Sequence, residues 1–284
     1  MTDASTLTRL AAALPGDLGH EARLYWRLVA AQVRGQMQYR ASFWMQLFGV
    51  ALVYTVEFAS VLFYFLHFET IGGWGLGEVA LLYGLSSVSF GIAHTVGGGF
   101  AVFSQFIVRG EFDRLLVRPF SALVQVLAAD IQLRRLGSVL QGIGALGIGL
   151  VYADVHWTVG TALWLPVTTV SAATVFLALF SLEATLCFWT TQATEIVNAF
   201  TYGGSNMTHY PIHIYDRWVR RFLIFVLPLA LVIYVPVVAL LGRPAPLGLP
   251  AWAAWSAPLA AALFAIVAGL AWRTGVRHYR STGT

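Results

Sequence analysis

Val108-Arg109-Gly110-Glu111-Phe112-Asp113-Arg114-Leu115-Leu116-Val117-Arg118-Pro119 is the most charged piece of a chain in which charged residues make up only 11% of the total. Long apolar stretches lie on both sides of it. An unpaired charge is expensive in hydrocarbon, so a segment like this must face water or another protein. Phe112, Leu115 and Leu116 recur at i, i+3 and i+4, which adds an apolar patch to a short helix. Pro119 ends that helix and sets where the next segment starts. Charge and apolar patch together read as a docking surface.

Outward from this segment the chain is oily. It is 58% hydrophobic over 284 residues, and its mean hydropathy is +0.72, outside the range of a soluble globular domain. Several stretches run to about 20 residues with almost no charge, enough to cross roughly 30 Å of hydrocarbon as helices. The fold class is therefore an all-α polytopic membrane protein. Cys187 is the single cysteine, which excludes an internal disulfide. The first span is preceded by several Arg and no apolar core of a leader, so no cleavable signal peptide is expected.

All 17 basic residues are Arg. A P-loop needs Lys to reach nucleotide phosphates, and no GxxxxGK[ST] occurs. The polar loops are too short to hold a nucleotide-binding domain. If ATP drives this protein, another chain binds it, and no catalytic residue is expected here. An intramembrane protease lacks its constellation: Gly84-Leu85-Ser86-Ser87 is no nucleophile motif, and HExxH is missing. The alternative is an ion-coupled secondary transporter or channel, which would use intramembrane charges and often internal repeats. No repeat between the halves is evident. Nothing points to a nucleic-acid partner.

Along the chain, residues 1–20 read as a flexible terminus and 21–40 as an amphipathic helix. Arg23, Arg27 and Arg34 share one face, with Tyr25, Leu28, Val29 and Val33 roughly opposite. With Trp26 this describes a helix lying in the membrane interface. A transmembrane region is expected over 41–272, followed by a tail over 273–284. Spans are expected at about 41–66, 78–100, 134–152 and 251–272, with the charged segment inside 104–120. Trp74 marks an interface in the Gly-rich loop between the first two spans. Ser138, Gly142, Ala145 and Gly149 form a small-residue stripe that permits close helix approach.

Residues 161–206 fit two spans with a turn near Glu183, or one span and a polar segment. Pro228 and Pro236 argue against a straight helix over 222–241. The Arg distribution orients the chain, because Arg9, Arg23, Arg27, Arg34 and Arg40 precede the first span. Arg109, Arg114, Arg118, Arg134 and Arg135 lie in or beside the 101–135 segment, and Arg273, Arg277 and Arg280 close the chain. Loops 67–77 and 153–160 have none. Both termini and the charged segment are thus expected in the cytoplasm, with six spans. The Arg217–Arg221 cluster leaves two arrangements open. Either 222–241 is the fifth span, or 184–206 is, and the proline-broken pieces re-enter from the outer side.

The order of these features resembles the ABC-2 type permease family, and in particular its small six-span exporter subunits. The resemblance is carried by the amphipathic helix, two spans, the run 110–119, Gln125-Val126-Leu127 and a Gly-rich third span. Tyr210-Pro211-Ile212-His213-Ile214-Tyr215 and Val226-Leu227-Pro228 complete it. It implies an N-terminal connecting helix, a cytoplasmic coupling helix and a re-entrant outer element before the last span. It also implies half of a translocation pathway paired with a second permease, identical or homologous, in the cell membrane. Two copies of a cytoplasmic ATP-binding cassette ATPase would hold the ATP and Mg, with no cofactor bound by this chain. Arg109, Glu111, Phe112, Asp113, Arg114, Leu115 and Arg118 would engage that ATPase. Here the charged residues would pair with its own charges, and Phe112 and Leu115 would fill a hydrophobic slot.

Ionisable groups in or near the spans are further candidates. Glu57, Thr191, Glu195 and Asn198 would line a polar pathway. Glu183 reads as a turn residue, and His94 as structural, near the cytoplasmic side.

Overall fold

The computed structural model describes residues 18–118, 120–155, 157–190 and 194–280. Helix α1 (Leu18–Met37) leaves Arg23, Trp26, Arg27 and Arg34 exposed and half-buries Tyr25, Leu28, Val29 and Val33. That is the amphipathic division expected for an interfacial helix. Helix α2 (Arg40–Phe65) buries only Leu47, Phe58 and Val61. Its remaining surface shows Phe48, Leu52, Val53, Val56 and Phe63, side chains suited to lipid or another apolar helix.

Helix α3 (Leu76–Val96) is the central post. After it come short helices α4 (Gly98–Ala101), α5 (Phe103–Val108), α6 (Phe112–Leu116) and α7 (Ala122–Leu127). These lie at the end of the molecule where α2 begins, called here the basic end. Helix α8 (Leu136–Tyr152) returns to the opposite end, where loop 66–75 also lies. The contact between α3 and α8 is the most extensive between two helices of the fold. Ser138, Gly142, Ala145 and Gly149 of the stripe are all buried; Gly142 meets Ser87 and Val88 of α3, and Ser138 meets Gly91. A Cβ placed on Gly84 would land on the backbone of Leu146, and one on Gly149 on the backbone of Leu81. Without side chains at these points the two backbones touch, the arrangement that small residues permit in membranes.

Helix α9 (Val159–Leu186) is 28 residues long and starts from a Thr158 cap whose hydroxyl accepts from the Thr161 N–H. It runs straight through Glu183, so the turn expected there is displaced to 187–190. Glu183 can stay helical and buried because Thr201 hydrogen-bonds its side chain; it need not reach an interface.

Helix α10 (Thr194–Thr208) has 15 residues, roughly 22 Å at 1.5 Å each, short of a bilayer core. Its contacts show where it lies along α3. Tyr202 meets His94 at 3.5 Å, Thr208 meets Ser86 at 2.7 Å, and His213 meets the Gly72 carbonyl at 2.6 Å. The chain therefore runs antiparallel to α3 from the basic end to the loop end, the last part as a turn and a short 3₁₀ helix (Ile212–Ile214).

Helix α11 (Arg217–Arg221) continues as a π-turn through Val226. Helices α12 (Leu229–Val232) and α13 (Tyr234–Leu240) follow after a 73° bend. The bend agrees with the expectation from Pro228 and Pro236 that 222–241 is not one straight helix. Leu227 is extended just before Pro228, as the residue before a proline prefers. Pro236 is tolerated in the first turn of α13, where no intrahelical donor is required. Arg243 then binds Glu78 and the Gly73 carbonyl. Both ends of segment 213–243 thus rest on loop 66–75, so the segment enters and leaves at one end. Arg217, Arg220 and Arg221 accordingly sit near the loop end.

The last helix, α14 (Ala257–His278), packs on α9 and runs past the expected limit of 272. Among the described residues five helices are long and apolar enough to cross a membrane, and the bent pair is a sixth candidate by length and composition. Helix α10 is not among these candidates; with 209–215 it lies along α3.

Candidate functional site

At the basic end, Gly110 adopts φ +66°, a left-handed conformation open to glycine, and this turn reverses the chain between α5 and α6. The Glu111 N–H donates to the Phe106 carbonyl at 2.9 Å. Farther on, buried Gln125 donates to the carbonyls of Leu115 at 3.1 Å and Phe120 at 3.2 Å. That one amide holds the segment in a closed loop. Arg109, Arg114 and Arg118 are exposed, while Glu111, Asp113 and Leu115 are half-buried. None of the three arginines forms an ion pair among the described residues.

Phe112 departs from the expectation. It is fully buried, with ring centroids 5.3 Å from Phe103, 5.3 Å from Phe188 and 5.0 Å from Tyr279. Trp272 closes the cluster at 5.1 Å from Phe103 and 5.4 Å from Phe188. The ring that would have filled a partner's slot instead fixes the segment to the end of α14 and to the turn after α9. The Tyr279 phenol lies against Asp113, and burial together with that carboxylate pushes its pKa up to about 12.

Helix α1 docks on the same end through side chains the sequence reading passed over. Gln32 donates to the Ala128 carbonyl and accepts from the Ile131 N–H. One turn on, Gln36 donates to the Ile131 carbonyl and accepts from the Leu133 N–H. Glu21 accepts from the Ser121 N–H at 3.0 Å, and His20 stacks on Phe120 at 5.5 Å. Two glutamines at i, i+4 on the inner face of an amphipathic helix were the available signal.

Glu57 does line a polar cavity. Tyr54 and Glu57 from α2, Ser87 and Phe90 from α3, Ser138 from α8 and Tyr202, Ser205, Asn206 and His209 from α10 and the turn after it enclose about 180 Å³. Ser87, Phe90, Ser138, Ser205 and His209 are its buried floor, whereas Glu57, Tyr202 and Asn206 are exposed at its rim. His209 packs on Tyr83 at 4.2 Å and faces Ser87 at 3.5 Å. Thr191 lies outside the described residues, and so do the side chains of Glu195 and Asn198.

His94, at the end of α3, is packed between Phe90 and Phe180, each at 5.6 Å. Its carbonyl accepts from Arg135 at 2.8 Å, and Arg135 also pairs with Asp130 at 3.5 Å. That is a structural setting. At the loop end Trp74 is buried. It stacks on Tyr234 at 5.3 Å, beneath the Arg243 guanidinium at 5.0 Å. Arg243 grips Glu78 with two bonds of 2.7 and 2.8 Å.

A family model described as ABC-2 family transporter protein matches residues 51–283. No match to the chain is found among curated proteins or solved structures.

Proposed function

The chain belongs to the ABC-2 transporter family, and from that premise we propose that it is the membrane-spanning permease subunit of an ATP-driven exporter. It forms half of a pathway through the cell membrane, both termini face the cytoplasm, and a second permease supplies the other half. ATP and Mg belong to a separate cytoplasmic ATP-binding cassette ATPase, two copies per assembly. The observation that carries this reading is the division of labour within segment 109–118. Its arginines point outward, while Phe112 ties it to α14 and to the turn leading into α10. A force applied to the exposed charges reaches two spans through packed rings rather than through a loose loop. Helix α1, seated on 120–133 by Gln32 and Gln36, makes the natural connecting helix.

The decisive experiment is co-purification with a candidate ATP-binding cassette ATPase. Reversing Glu111 and Arg114 together (E111R/R114E) should release the ATPase or lower transport-coupled hydrolysis about tenfold, as loss of central charged contacts does at interfaces. Retention of the ATPase with unchanged coupling would remove the docking assignment. Glu57 and its cavity belong to the pathway in this reading.

A further inference from the structure

Glu57 stands eight residues before the end of α2 at Phe65, roughly 12 Å at 1.5 Å per residue. A carboxylate that deep in a span needs a partner. Among the described residues no ion pair is made to it, and its neighbours in the cavity supply no cation. Arg135, one turn from Ser138, is already held by Asp130 and the His94 carbonyl. No guanidinium lines the cavity. Tyr54, Phe90, Tyr202 and the buried imidazole of His209 are the rings, and Ser87, Ser138, Ser205 and Asn206 supply hydroxyl and amide oxygens.

Aromatic faces and a carboxylate attract the same kind of ligand. Ring quadrupoles favour cations over their faces, quaternary ammonium groups included, and the carboxylate provides the counter-charge. An anion would meet Glu57 with no guanidinium to offset it. The cavity of about 180 Å³ lies below the roughly 300–1,000 Å³ of sites for whole drug-sized ligands. It accommodates a head group. Exposed Val53 and Val56, beside Glu57 on α2, offer an apolar track for a hydrocarbon tail.

We propose that this cavity binds the cationic head of amphipathic organic ammonium compounds, with Glu57 as counter-ion and Tyr54, Phe90 and Tyr202 as the aromatic walls. Calling such a compound cargo rests on the permease reading; the binding site itself does not.

The test uses the purified full chain in phosphatidylcholine nanodiscs, with no ATP and no ATPase. Radiolabelled decyltrimethylammonium is the probe, decanol and decyl sulfate are its neutral and anionic counterparts, and empty nanodiscs are subtracted. Saturable binding of decyltrimethylammonium alone is expected. Glu57→Gln should weaken it about tenfold, Glu57→Asp should stay within about threefold, and Tyr202→Leu should weaken it about fivefold. Each variant must elute as the parent does, so that a folding defect is not mistaken for a binding defect. Equal affinity of the parent and Glu57→Gln, or saturable decyl sulfate binding, overturns the proposal. If cation binding is absent while E111R/R114E still releases the ATPase, this site falls and the permease reading stands. Glu57-dependent binding without any ATPase association gives the opposite result.

Discussion

Replacing Phe112 by Ala removes the ring around which Phe103, Phe188 and Tyr279 pack. A buried Phe→Ala change costs about 3 kcal/mol or more, because the neighbours cannot close the space. Phe112→Leu keeps most of the volume and should cost much less. The expected outcome is a lower unfolding temperature for the Ala variant in detergent, with Leu close to the parent. Arg114→Ala, on the exposed side of the same short helix, should leave thermal stability unchanged. If Ala and Leu at 112 melted alike and like the parent, the packed cluster would not be a structural link. The sequence placed these residues in one helical turn and assigned them all to a partner. It could not show that Phe112 faces inward, because Phe188, Trp272 and Tyr279 lie 76 or more residues away in the chain.

Between elements, the α3–α8 contact depends on what its glycines lack. Gly84 and Gly149 each face the backbone of the opposite helix, so even a methyl group forces the helices apart. Gly84→Val should reduce the yield of folded protein sharply and lower the melting temperature by several degrees, an overpacking cost of about 1–3 kcal/mol. Gly144→Val, where a Cβ would meet nothing within 4 Å, is the matched control and should behave as the parent. A similar response of the two variants would show that helix propensity, not close approach, governs this pair. The stripe on α8 was legible from spacing alone. Its partner glycines on α3, Gly77, Gly84 and Gly91, fall seven apart and identify themselves only once the two helices are paired.

For the whole molecule, the question is where segment 213–243 sits. Its two ends meet loop 66–75 through His213 and Arg243, opposite the end that carries segment 109–118. In a Cys187→Ser background, a cysteine at exposed Ile214 should react with a membrane-impermeant maleimide in intact cells. A cysteine at exposed Val117 should react only after permeabilisation. Reaction of the Ile214 site only after permeabilisation would place Ile214 and the Arg217–Arg221 cluster in the cytoplasm and make 222–241 a span. The Arg217–Arg221 cluster pulls against the expected arrangement by the positive-inside tendency. That tendency is a preference for short loops, and here the paired contacts of His213 and Arg243 oppose it.

Composition alone established a polytopic helical membrane protein, since 20-residue runs without charge have no other stable home. The order of amphipathic helix, spans and charged segment was likewise written in the chain, down to the arginine-only basic residues that leave no P-loop. Periodicity also exposed the small-residue stripe and the break at Pro228. What pairs with what was not local information. Glu183 looked like a turn because its partner Thr201 lies in the next helix, and Gln32 and Gln36 looked like ordinary polar residues until loop 128–133 met them. The inward turn of Phe112 and the meeting of Glu57 with Tyr202 and His209 arise the same way. Each depends on helices far apart in sequence packing side by side, and burial there is decided by the neighbour rather than by the residue.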